Sequence, residues 1–231
     1  MLHCLIDNPK IERDDNIIIY YAGHGSSYYC SKHSFPGLEP NCSSDLCPIE
    51  ALCPIDRDTV TDKHCPIPNI SDRELNALFT QVSHIKGHRI TFIADCCHAA
   101  GTNRGPANSG VRTMEPTHNS GPDGMLRAAE ERLKHLPGYK SVLSDNWQPD
   151  TSSHVILAAC QNYQTARETR MGKEYGGDFT RELVHFLGSG DWRKGMTYEK
   201  ITDHLNQTAY QTPVVAGDHK DECLWYQDAA T

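Results

Sequence analysis

Two short apolar runs, each ending in a corner that carries chemistry, constrain this chain most. Asn16-Ile17-Ile18-Ile19 leads into Tyr20-Tyr21-Ala22-Gly23-His24-Gly25, and Arg89-Ile90-Thr91-Phe92 leads into Ile93-Ala94-Asp95-Cys96-Cys97-His98. Short β-branched runs closed by a glycine-rich or polar corner read as buried strands of a parallel sheet. Parallel α/β sheets collect their chemistry at the carboxyl ends of the strands. One strand then delivers His24 to that edge and another delivers Cys97. An imidazole beside a thiol draws off its proton near neutral pH and makes it a nucleophile.

The other elements fit the same α/β class. Residues 1–9 read as the tail of a helix closed by Pro9. Residues 26–69, rich in Ser, Pro, Cys and Asp, read as a long loop. Ser71 and Glu74 stand three apart, as at a helix start, and Leu75, Leu78, Phe79 and Val82 follow at helical spacing up to Gly87. A glycine- and proline-rich segment over 101–122 reads as irregular, and Met125–Leu136 as a short helix. A strand over Ser153–Cys160, helices over Asp178–Leu187 and Tyr198–Leu205, and a closing strand over Cys223–Tyr226 complete the order. Helices alternating with strands predict a mainly parallel sheet between helical layers.

A length of 231 residues predicts one domain. A net charge of −8 argues against a nucleic-acid binder and suits cationic substrates. No apolar stretch approaches the ~20 residues of a membrane span. The first residues lack the pattern of a signal peptide, so a cytoplasmic protein is expected. Ten cysteines are present, five of them Cys30, Cys42, Cys47, Cys53 and Cys65. In a cytoplasmic protein these stay reduced. A zinc-binding module is the alternative, but no Cys-x-x-Cys pair supports it.

The two corners resemble the caspase-like cysteine peptidases, and the metacaspases in particular. Those carry Ser/Ala-Gly-His-Gly at the histidine and Asp-Ser-Cys-His-Ser-Gly at the cysteine. Aligned with the second pattern, Asp95-Cys96-Cys97-His98 puts the nucleophile on Cys97 and Cys96 in the serine slot. Cys53-Pro54-Ile55-Asp56 is similar to the family's Cys-Pro-Val-Asp. Ile70-Ser71-Asp72-Arg73-Glu74-Leu75-Asn76 is similar to its Ile-x-Asp-Asp-Glu-x-Asn. His24 and Cys97 lie 73 positions apart, more than the ~50 common in caspases, and the insertion over 26–69 accounts for the excess.

The resemblance implies a three-layer caspase-like domain over 1–231. Its large-subunit-like part is 1–101, its linker 102–150 and its small-subunit-like part 151–231. It implies an endopeptidase acting on polypeptides, with His24 as acid and base and the backbone N–H groups of Gly25 and Cys97 as oxyanion donors. Asp95 lies in the pocket for an Arg or Lys before the cut. Asp56 and Asp72 match calcium-binding positions, with Arg73 in place of a second acidic residue. No cofactor is needed for the chemistry, and calcium enters as an activator. Only about fifteen residues precede the histidine strand, so the family's first strand and the following loop are expected to be absent. That expectation supports a rival reading, an inactive caspase-like scaffold.

Overall fold

The computed structural model of the chain describes residues 3–28, 49–60, 65–97, 114, 121–161, 164–171, 174–193 and 195–227. Its centre is a four-stranded sheet built from β1 (Ile17–Ala22), β5 (Ile90–Asp95), β6 (Val155–Ala158) and β9 (Val214–Ala216), in the order β1-β5-β6-β9. The first three strands are parallel and β9 closes the sheet antiparallel. Ile17 pairs with Ile90 and Ala22 with Asp95, so the two strands read from the sequence run side by side to a common end. Every residue of β5 is buried, as expected of a strand covered on both faces.

Strand alternation sorts β5 between two cores. Phe92, Ala94 and Cys96 face α2 (Asp72–Lys86), where Phe79 and Val82 close the layer. Ile93 and Cys97 face α4 (Asp178–Ser189) and α5 (Tyr198–Ile201), whose Phe179, Leu183, Tyr198 and Ile201 form the second core. The protein is thus an α/β sandwich with helices on both faces of a mainly parallel sheet. The Ser71 hydroxyl caps α2 by accepting from the Glu74 N–H at 3.1 Å. Glu74 does not return the bond to the cap. Its carboxylate is held instead by Arg132 at 2.9 and 2.7 Å, which ties α2 to α3 (Pro122–Leu133).

Two expectations are corrected, and one element is new. The segment 26–69 is not one loop: β2 (Gly25–Tyr28) and β3 (Ile49–Leu52) pair antiparallel, and β4 (Ile70–Ser71) joins them. Ser26 and Ser27 hide the strand in the sequence, while Tyr28, Ile49 and Ala51 bury themselves against Met125 and Leu126 of α3. Residues 29–48 lie outside the described residues, as do Cys30, Cys42 and Cys47. The closing strand is Val214–Ala216, and Leu224–Tyr226 forms a 3-10 turn with left-handed φ at Trp225 and Tyr226. Aromatic residues suit strands by propensity, but here Trp225 and Tyr226 pack around Tyr198 instead. Finally, β7 (Glu168–Met171) pairs antiparallel with β8 (Glu174–Gly177), which was not anticipated. Among the described residues no helix is long and apolar enough to cross a membrane.

One buried base makes the fold sensitive to acid. His154 stands at the entry to β6, packs on Phe79 at 4.6 Å and exchanges a 2.7 Å hydrogen bond with Ser153. Burial pulls its pKa down to about 4, with Asp150 opposing in part. The neutral ring is the form the fold accepts, so its stabilisation is complete above the unfolded value of ~6.5 and is lost as pH falls toward 4. Urea unfolding across this window is expected to show a falling midpoint. His154→Leu should flatten that limb, and an unchanged slope in the variant would refute the assignment.

Candidate active site

His24 is placed by its backbone. The Cys53 N–H donates to the His24 carbonyl at 3.0 Å, and the Tyr21 hydroxyl donates to the same carbonyl at 2.8 Å and to that of Cys53 at 3.0 Å. The Gly23 N–H donates to the Asp95 carbonyl at 3.3 Å, carrying the β1–β5 pairing past the last strand residue. With its main chain pinned, the His24 side chain is left exposed at the carboxyl edge of the sheet.

Cys97 reaches the same edge from the neighbouring strand. The chain passes so close to it that a Cβ on Gly25 would overlap the Cys97 carbonyl oxygen. Glycine is the one residue that permits this approach. Gly25 and Cys97, the two expected oxyanion donors, are therefore neighbours across the strand ends, with His24 next to Gly25 in the chain. The Cys97 side chain is only 1% exposed, and its thiol donates to the Ala166 carbonyl at 3.3 Å. Cys96 points to the opposite core. Burial raises its pKa well above the usual thiol value, with smaller contributions from Cys160, Cys97 and Asp95. A thiol held in its protonated form is a poor nucleophile.

Asp95 is fully buried on the Cys97 face. The Thr180 hydroxyl at the start of α4 donates to one carboxylate oxygen, and Tyr20 exchanges a 2.8 Å hydrogen bond with the same hydroxyl. A Cβ on Gly177 would overlap that carboxylate oxygen, so β8 fits against it only as glycine. Sequence reasoning missed Gly177 and Thr180. They stand 82 and 85 positions beyond Asp95 and share no local motif with it.

The two expected calcium residues sit on other elements. Asp56 is exposed in the turn after β3. Asp72 opens α2, and one of its oxygens accepts from the Arg73 N–H at 2.8 Å. The Arg73 guanidinium turns away to the Val142 carbonyl, at 2.8 Å, and over the Trp147 ring. Among the described residues no group of three or more His, Cys, Asp or Glu side chains is arranged to hold a metal ion. Calcium takes ~6–8 oxygen ligands, more than Asp56 and Asp72 supply by themselves. The described cysteines are all free thiols.

The fold and this edge define a class, the α/β domains that present a histidine and a cysteine on adjacent parallel strand ends. The caspase-domain family model matches residues 3–226, and the chain belongs to that family of cysteine peptidases. Solved structures that match include the crystal structure of protein GSU0716 from Geobacter sulfurreducens. It is 17% identical, with a TM-score of 0.50, over 93% of this chain and 70% of that one. At that identity the likeness is one of fold. No curated protein matches the chain.

Asp72 supplies a test of the local electrostatics. Burial lifts its pKa to about 6; the Arg73 N–H opposes this and the Glu50 charge adds to it. A raised carboxyl favours the fold below its unfolded value, and that contribution is lost as pH rises through 6. Asp72→Asn should therefore stabilise the protein above pH 6, by about 1 kcal/mol once partial exposure is discounted. The gain should vanish below pH 4. Thermal unfolding at pH 4 and pH 8 reads this directly, and an equal gain at both would refute it.

Proposed function

We propose that this protein is a metacaspase-type cysteine endopeptidase that cleaves polypeptides after Arg or Lys. The observation that carries the reading is the close passage of Gly25 over Cys97, which puts the His24 backbone and the Cys97 backbone at one edge. In this reading the Cys97 thiolate attacks the scissile carbonyl carbon. The oxyanion that forms is met by backbone N–H groups at Gly25 and Cys97, an arrangement worth several kcal/mol of barrier. The carbon–nitrogen bond breaks, and His24 gives its proton to the leaving amine. Water, activated by His24, then attacks the thioester carbon and releases Cys97 as the thiolate.

The pocket reading rests on Asp95. A buried carboxylate favours a cation, and a guanidinium fits it with two parallel hydrogen bonds. Substrate would replace Thr180 as its partner. The acidic net charge of the chain works in the same direction. In this reading calcium enters as an activator, with Asp56 and Asp72 as the positions that match its ligands. The reading keeps the enzyme in the cytoplasm, where its thiols stay reduced.

A second reading has its own support. The Cys97 thiol is buried and committed to the Ala166 carbonyl, as suits a silent scaffold. The two separate in one experiment, with peptides bearing Arg, Lys or Asp before the cut. Arg and Lys peptides are expected to be hydrolysed and the Asp peptide left intact. Cys97→Ala and His24→Ala should each abolish turnover, whereas Cys96→Ala should retain a substantial fraction. Asp95→Asn should lower turnover of the Arg peptide about tenfold or more, the cost of one charge-assisted contact. Activity that survives in Cys97→Ala but not in Cys96→Ala would move the nucleophile. A labelled Cys97 with no turnover of any peptide would favour the scaffold.

A further inference from the structure

Three thiols crowd the carboxyl ends of β5 and β6, and the reaction described above uses one. The register that pairs Ala94 with Ala158, and the bond from the Ala159 N–H to the Ala94 carbonyl at 3.0 Å, carry Cys160 out beside Cys96 and Cys97. The Cys160 sulfur lies 3.9 Å from the Cys96 carbonyl oxygen. That peptide group links Cys96 to Cys97. The Cys160 thiol also faces the Gln164 carbonyl at 3.7 Å, and the Cys97 thiol faces the Ala166 carbonyl at 3.3 Å. Both sulfurs thus lean on one short stretch, residues 164–166. Both belong to the core on the α4 face, whereas Cys96 belongs to the opposite core. Continued past Ala94 and Ala158, the register sets Cys160 level with Cys96 and one position short of Cys97; a strand spacing of ~4.8 Å and a rise of ~3.3 Å put the Cys97 and Cys160 α-carbons ~6 Å apart, inside the ~4.4–6.8 Å window that a disulfide spans.

We propose that Cys97 and Cys160 are a redox pair, in which a hydroperoxide closes a disulfide between nucleophile and neighbour and reversibly blocks the site. The blocking role rests on the peptidase reading; the pairing of the thiols does not. In the first step the Cys97 thiolate attacks a peroxide oxygen. The O–O bond breaks, the sulfur loses two electrons to become a sulfenic acid, and the other oxygen leaves as hydroxide or alkoxide. In the second step the Cys160 sulfur attacks the sulfenic sulfur. An S–S bond forms, the S–O bond breaks, and hydroxide leaves as water with the Cys160 proton. A dithiol reverses the link by exchange and is itself oxidised. Cys160 also protects Cys97, because a sulfenic acid without a partner thiol proceeds to the irreversible sulfinic form.

The test treats the full chain with hydrogen peroxide, alkylates the remaining thiols, and maps linked peptides by fragmentation that separates Cys96 from Cys97. The expected result is loss of two hydrogens, with Cys97 joined to Cys160. Dithiothreitol should remove the link and restore peptide hydrolysis. In Cys160→Ser the same treatment should leave Cys97 with two added oxygens and no recovery by dithiothreitol. A link through Cys96 or through the exposed Cys4 or Cys65 would overturn the proposal, as would over-oxidised Cys97 in the unaltered chain. If Cys160→Ser does not fold, the map of the unaltered chain decides alone. A Cys97–Cys160 link in a chain that hydrolyses no peptide upholds the pair and defeats the peptidase reading. Hydrolysis without the link does the reverse.

Discussion

The clearance between the Gly25 α-carbon and the Cys97 carbonyl governs this molecule. It exists because β1 and β5 run parallel and in register to their last residues, so that both chains turn at the same height. From there Gly25 opens β2, and the small sheet β2-β3-β4 is built outward from the same corner. The Cys53 N–H, at the end of β3, comes back to hold the His24 carbonyl. A side chain at position 25 would push the histidine corner off the cysteine corner and unseat the second sheet with it.

The resting state of the proposed nucleophile follows from the same packing. Cys97 sits at the end of a strand with both faces covered, and its thiol has found a carbonyl partner in Ala166. In the proposed reaction a bound peptide must therefore compete with residues 164–166 for the sulfur before chemistry begins. The segment stands 67 to 69 positions beyond Cys97 in the sequence, and the β5–β6 pairing brings the two together.

The sequence is legible where a signal is local. Ile17–Ala22 and Ile90–Asp95 announce themselves by β-branched runs with a hard stop, and α2 by its Ser71 cap, its apolar stripe and Gly87. That His24 and Cys97 stand at one edge can be read because parallel strands share a carboxyl end. What escapes is non-local or compositionally quiet. Gly25-Ser26-Ser27-Tyr28 is a strand only because β3 and α3 bury it, and Ser and Gly carry no strand signal of their own. The β7–β8 pair is short and mixed in composition. Cys223–Tyr226 misleads because its aromatic residues suit a strand, while the actual edge strand, Val214–Ala216, is three residues long. Thr180 and Gly177 reach Asp95 only by the return of α4 across the sheet.

The fit of Gly177 against Asp95 has a consequence for how such a pocket could change over time. The two positions occupy one shared volume: what one side chain takes, the other cannot have. A bulkier residue at 177 is closed to the chain while Asp95 stands, and shrinking Asp95 alone leaves a void beside Thr180. Under the proposed preference for Arg and Lys, a change of preference is therefore easiest as a coupled exchange, with loss of volume at 95 matched by gain at 177. Positions 95 and 177 form a single unit of variation, and substituting them one at a time samples mostly its unfavourable corners.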